Sequence, residues 1–135
     1  MTEDRPSLFM RAQVPTEFAA VLRRLVRSIP GGVGAAFCDA EGECIDYYGP
    51  IDPFDMKIAG AQLAPVHEDL ARRLGAFLGS DVTVHMRGEK TSYLYLRISA
   101  DYYVVAILSA YASWWEALDD IAAARKDMRR EAGVG

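Results

Sequence analysis

Glycine and alanine crowd one short extended segment of this chain. Gly31-Gly32-Val33-Gly34-Ala35-Ala36-Phe37-Cys38 runs into the turn Asp39-Ala40-Glu41-Gly42 and out again through Glu43-Cys44-Ile45-Asp46-Tyr47. A strand with so few side-chain atoms lets neighbouring structure pack close to its backbone. Gly42 has no Cβ and so supplies the positive φ that a tight hairpin loop demands. The segment opens a hairpin at roughly 33–38 and 43–48. A helix, three more strands and a last helix follow it, an order that few small folds share.

Upstream, Pro15-Thr16-Glu17 predicts a helix start, with Thr16 as N-cap and Glu17 at the positive end of the dipole. Phe18, Val21, Leu22, Leu25, Val26 and Ile29 then recur at helical spacing, and Pro30-Gly31-Gly32 ends the helix. Downstream, Asp52-Pro53 reads as an N-cap followed by Pro at the first helical position. It opens a long helix over about 53–78 with Met56, Ala59, Leu63, Val66, Leu70, Leu74 and Phe77 facing inward. Pro65 removes one backbone donor inside it, which predicts a kink or two helical pieces. Ala59-Gly60-Ala61-Gln62-Leu63-Ala64 offers a small-residue surface on which another helix could sit.

Strands are expected at 81–87, 92–98 and 102–108, joined by links short enough for hairpins. Val82, Val84 and Met86 alternate with Thr83, His85 and Arg87, and Leu94, Leu96 and Ile98 with Tyr93, Tyr95 and Arg97. The segment 102–108 is apolar throughout and therefore central, beside 33–38, which leaves 43–48 and 81–87 as edges. A final helix over 113–131 has Ser113 as its candidate cap and a stripe of Trp114, Leu118, Ile121, Ala122 and Met128. Its acids Glu116, Asp119 and Asp120 precede Arg125, Lys126, Arg129 and Arg130, as the helix dipole favours. The order α-ββ-α-βββ-α predicts an α+β fold, a five-stranded antiparallel sheet with helices on both faces. Residues 1–14 lack a sustained period and are expected to form a loose arm ahead of a single domain over 15–135.

Composition narrows the function. The chain has 135 residues, 51% apolar and 25% charged, and a net charge of −4, which argues against a general nucleic-acid or anionic-membrane binder. No segment approaches the ~20 apolar residues that span a bilayer. The first residues, Met-Thr-Glu-Asp, lack a basic start and an apolar run, so a cytoplasmic, reduced protein is expected.

The candidate chemical groups are sparse. Cys38 and Cys44 flank the hairpin but have no histidine beside them to complete a zinc site, so a buried thiol pair or a redox switch is expected. His67 and His85 are isolated from any Ser, Cys or carboxylate at catalytic spacing, and a partner-contact role suits them better. Tyr93, Tyr95 and Arg97, with Thr83, His85 and Arg87 beside them, are expected to make one polar-aromatic sheet face. Such a face either meets a protein or is covered by the chain's own helix. Trp114 and Trp115 point about 100° apart on a helix, so one of them, Trp115 by expectation, faces out. Gly31-Gly32-Val33-Gly34 precedes a strand and lacks Gly-Lys-Ser/Thr, so it is no phosphate loop and the chain itself should not bind GTP. Arg23, Arg24 and Arg27 are expected to face solvent.

Taken together, Phe37-Cys38-Asp39, the acidic turn Glu41-Gly42 before Glu43-Cys44-Ile45-Asp46, the Ala/Gly-rich helix and Asp101-Tyr102-Tyr103-Val104-Val105 resemble the Roadblock/dynein light-chain family, close to profilin-like folds. The likeness covers about residues 15–131. It implies no cofactor, no enzymatic activity, and homo- or heterodimers in which the long middle helix and the edge strand 81–87 pair with their counterparts. It also implies a role as platform or regulator for a small Ras-like GTPase, including bacterial cell-polarity GTPases, or as a scaffold for another Roadblock protein. By that resemblance the dimer interface would comprise Ala59, Gly60, Leu63, Val66, Val82, Val84 and Met86. Lys57, Gln62, His67, Arg72, Arg73, His85, Tyr93 and Tyr95 would contact the partner. Pro65, in the helix expected at the interface, departs from the family pattern. A PAS- or profilin-like module binding a small ligand is the alternative from another class.

Overall fold

In the computed structural model, which describes residues 16–79 and 81–134, every strand joins one antiparallel sheet. Helix α1 (Glu17–Ser28) precedes β1 (Gly32–Asp39) and β2 (Cys44–Tyr48); helix α2 (Pro53–Leu78) then leads to β3 (Thr83–Arg87), β4 (Thr91–Arg97) and β5 (Tyr102–Ser109). A 3₁₀ turn at Trp114–Ala117 runs into helix α3 (Leu118–Ala132). The arm expected over 1–14 lies outside the described residues.

The strand order is β2-β1-β5-β4-β3, so the two apolar strands are neighbours and the expected edges are the edges. Val104, Val105 and Ala106 of β5 are all but inaccessible because both faces of the sheet are covered. Helices α1 and α3 close one face over Phe37, Leu94, Leu96, Ile98, Val104 and Leu108. Helix α2 closes the other over Ala36, Cys38, Tyr47, Val84, Tyr95, Tyr103 and Val105. Each Leu or Val so buried from α1 (Val21, Leu22, Leu25 and Val26) contributes about 1.5–3 kcal/mol of transfer free energy.

The local signals hold where they were specific. Thr16 caps α1 by accepting from the Ala19 N–H at 2.9 Å, and Asp52 caps α2 by accepting from the Phe54 N–H at 2.9 Å. Gly42 takes φ +90°, and the Asp39 carboxylate accepts from the Glu41 and Glu43 N–H groups to fix the turn. A Cβ at Gly34 would lie 2.7 Å from the Tyr48 carbonyl oxygen, the close approach that its glycine permits.

Three expectations are corrected. Of the two outcomes expected at Pro65, a kink or two helical pieces, the second is excluded: α2 is one element of 26 residues. The carbonyl left without a donor four residues earlier belongs to Ala61, which is exposed like Pro65, so water can satisfy it.

Next, the register pairs Val84 with Tyr95, Met86 with Tyr93 and His85 with Leu94. Tyr93 and Tyr95 therefore share the α2 face with Val82 and Val84, while His85 packs tilted against Trp114, ring centres 5.3 Å apart, on the opposite face. The single polar-aromatic face does not exist.

Finally, Leu118 is 53% exposed and Ala122 is exposed, while Ala124 and Arg125 join Ile121 and Met128 inside. The 3₁₀ turn advances about 120° per residue against 100° in an α-helix, which moves the stripe projected from Trp114 out of phase.

Candidate functional site

Helix α2 and the β3 edge carry most of the residues expected to matter, and their geometry follows from length. The helix crosses the sheet from the β2 side to the β3 side. Lys57 approaches Glu43 at 3.8 Å, Gly60 meets Tyr103 of β5, His67 lies 5.6 Å from the Tyr95 ring of β4, and Glu68 pairs with Arg97 of β4. At ~1.5 Å per residue, its 26 residues reach about 39 Å, while five strands at ~4.8 Å spacing span about 19 Å. The helix therefore overhangs the sheet.

The overhang exposes residues that the helical period aims inward. Leu74 is 41% exposed, Leu78 50% and Phe77 87%. The expected inward face is correct as far as Leu63 and again at Leu70, which packs half-buried against the core. Val66 is out of phase, with His67 buried in its place, and cover is lost from Leu74 onward, where no sheet lies beneath. Beside the overhang, β3 is an unpaired edge with Met86 42% exposed. The outer face of α2 carries a second apolar stripe, Phe54, Ile58 and Val66.

The residues expected at a dimer interface fall into two groups. Val66 and Met86 are exposed and Val82 is half-buried, whereas Ala59, Gly60, Leu63 and Val84 are buried within this chain between α2 and the sheet. The candidate partner contacts divide likewise. Lys57, Gln62, Arg72 and Arg73 stand exposed on α2, the last two paired to Asp69 at 2.7 and 2.9 Å. Tyr93 and His85 are half-buried, and His67 and Tyr95 are buried. Sequence reasoning passed over Phe54, Ile58 and Leu78. For Phe54 and Ile58 the signal was a second apolar stripe on a helix whose first stripe already accounted for the core; Leu78 follows Leu74 by four residues and extends the inward stripe.

His67 is 2% exposed, and neither ring nitrogen meets a hydrogen-bond partner among the described residues; His85 Nε2 is in the same state. Burial, then the nearby Arg97 cation, lowers the His67 pKa from its ordinary 6.5; Glu68 raises it and Arg125 lowers it further. Burial, then Arg87, lowers that of His85. The unfolded chain consequently binds protons at a higher pH than the folded one. Stability from these groups is complete above pH 6.5 and is lost as pH falls through 6.5 toward the depressed folded values. We expect urea midpoints to drop between pH 7.5 and 5.5, with His67 costing at most ~1.4 kcal/mol for every pH unit crossed. His67→Leu should flatten that slope without loss at neutral pH, since no hydrogen bond is forfeited; an unchanged slope would exclude His67.

Other groups have local uses. Arg23 and Arg27 are exposed, as expected, and Arg24 pairs with Asp127 at 3.3 Å; with Asp120 they line a shallow groove between α1 and α3. Trp115 is 54% exposed. Among the described residues no three His, Cys, Asp or Glu side chains converge to hold a metal ion, and no helix is long and apolar enough to cross a membrane.

No protein-family model and no curated protein matches the chain. Solved structures do. It is similar to MglB of Myxococcus xanthus, at 18% identity over 87% of this chain and 88% of that one, with a TM-score of 0.68. A Roadblock/LC7 domain from Streptomyces avermitilis matches at 17% identity over 85% and 97%, TM-score 0.67. A structure described as MglB with tetrameric arrangement matches at 17% over 92% and 89%, TM-score 0.66. What is common at such identities is the arrangement of the elements, and by that arrangement this chain has the Roadblock/LC7 fold.

Proposed function

We propose that the chain is a non-enzymatic, cytoplasmic homodimeric interaction module that binds or regulates a small Ras-like GTPase. The observation that carries the dimer is the apolar overhang of α2 beside the open β3 edge. A second copy placed by a two-fold axis at β3 would continue the sheet, and each helix end would cover the other copy's sheet. That arrangement removes an unpaired edge and buries Leu74, Phe77, Leu78 and Met86 in one step. A described tetrameric arrangement in a similar structure supports self-association of this fold.

The outer α2 face, with Phe54, Ile58 and Val66 among Lys57, Gln62, Arg72 and Arg73, then forms a continuous platform across the two copies. Apolar anchors rimmed by charge suit a protein partner. The Ras-like GTPase follows from the family resemblance, and the module would act by preferring one nucleotide state, since only differential affinity shifts such a switch.

Sedimentation of the wild-type chain should give twice the 14.9 kDa of one copy, and Phe77→Glu with Leu74→Glu should give one copy that stays folded. A wild-type monomer at tens of micromolar would refute the dimer. Pull-down from native lysate with GDP or a GTP analogue, read by mass spectrometry, should recover a Ras-like GTPase at least tenfold better in one state, ~1.4 kcal/mol. Equal recovery in both states, or recovery of Roadblock proteins alone, would leave a scaffold in its place.

A further inference from the structure

The β1–β2 hairpin places its two cysteines directly opposite one another, Cys38 on β1 against Cys44 on β2. Both are thiols. The Asp39 N–H donates to the Glu43 carbonyl at 3.0 Å, which brackets the cysteine pair on its turn side and makes it a non-hydrogen-bonded cross-strand pair. Such pairs hold their Cα atoms about 4.5 Å apart, the closer of the two antiparallel spacings. Disulfides need Cα separations of ~4.4–6.8 Å, so this pair can close without moving a strand. A bulge follows at once: the register shifts between Phe37 and Cys38, leaving Ile45 as the extra residue, which supplies local slack in β2.

The two thiols differ in access. Cys38 is fully buried, whereas Cys44 is half-buried and donates to the Asp46 carbonyl at 3.4 Å. Contact between the thiols, followed by burial, pushes the Cys38 pKa well above the usual range, which leaves Cys44 as the sulfur that a reagent reaches first.

We propose that Cys38 and Cys44 form a reversible dithiol–disulfide site whose co-substrate is a low-molecular-weight disulfide. Cys44 attacks one sulfur of the small disulfide, forming a mixed disulfide and releasing one small thiol. Cys38 then attacks the Cys44 sulfur and releases the second. The two protons of the protein thiols end on the two small thiols; the protein pair is oxidised and the small disulfide reduced. Excess small thiol reverses both steps. The chemistry reaches α2, because Cys38 also meets the Tyr103 hydroxyl, and the Tyr103 ring packs on Gly60. Its hairpin lies at the sheet edge opposite β3, so the site stands or falls independently of the proposed dimer.

The reduced chain, exposed to oxidised glutathione in native buffer, should go from two titratable thiols to none when assayed in guanidinium. Its intact mass should fall by two hydrogens, and it should run as a single chain on a non-reducing gel. Cys38→Ser should stop at the mixed disulfide and keep one glutathione. Should that variant not fold, Cys44→Ala at the half-buried position should leave Cys38 unreacted. A glutathione adduct persisting on the wild-type chain, a disulfide between chains, or survival of both thiols would overturn the proposal.

Discussion

Gly60→Ala should lower stability by about 1–3 kcal/mol, and Gly60→Val should prevent a stable fold. Local physics predicts the reverse sign for the alanine, since Ala is better than Gly in a helix interior by ~1 kcal/mol. The opposing effect is steric. A Cβ at Gly60 would stand 2.5 and 2.6 Å from two ring carbons of Tyr103, and that ring is 5% exposed with the Tyr95 ring tilted against it at 5.2 Å. It has no free direction in which to retreat, so α2 must lift from the sheet. Thermal melting should show a fall of about 3 °C per kcal/mol lost. Repeating Gly60→Ala in a Tyr103→Leu background separates the causes: the penalty should shrink when the ring is removed. A higher melting temperature for Gly60→Ala in the wild-type background would refute the close approach.

Gly60 also marks where the sequence is readable and where it is not. The small-residue run Ala59–Ala64 announced a close contact, and the contact is real. Its occupant is an aromatic ring of the chain's own central strand, an identity set by a register that no periodicity reveals. The hairpins, edges and caps were legible because each rests on a local rule: a positive φ at Gly42, an Asp-Pro helix start, an all-apolar central strand. The mixed tyrosine–histidine face was misread because alternation along β3 and along β4 leaves open which residue of one faces which of the other. Only the cross-strand pairing of Met86 with Tyr93 decides that.

The candidate interface was half legible for a different reason. Periodicity assigns Leu70, Leu74 and Phe77 to the buried side of α2; Leu70 does pack half-buried against the core, and a helix within the width of its sheet would bury the other two as well. The sheet ends first. Exposure there is a comparison of two lengths, a helix rise summed over 26 residues against four strand spacings, and neither is visible as a motif. The same comparison turns an ordinary apolar stripe into the argument for a second copy.

Arg125→Met should cost about 2–4 kcal/mol, although burying an ion pair is often no better than burying a hydrophobic residue of similar volume. The difference lies in the acceptors. Arg125 is 4% exposed and donates to the Val82 carbonyl at 2.9 Å and the Arg97 carbonyl at 3.3 Å. Carboxylates can be exchanged along with their cation, but backbone carbonyls remain, and each one left bare inside costs ~1–3 kcal/mol. Arg129 works beside it, donating to the Ile98 carbonyl at 2.8 Å and to Asp81 at 2.6 Å, a contact that holds the Asp81 carboxyl below its usual range. Together the two arginines fasten α3 to the start of β3 and the end of β4, the corner from which the open edge runs. Arg125→Met should therefore lower the melting temperature by ~6–12 °C and raise amide exchange across Thr83–Arg87 more than across β1. Arg125→Lys, with a charge but no fork, should fall between. Equal loss of protection in β1 and β3 would mean that the arginine supports the whole core and not this corner. If the corner is its charge, the β3 edge loses its alignment first, and self-association should weaken at temperatures where the monomer is still folded.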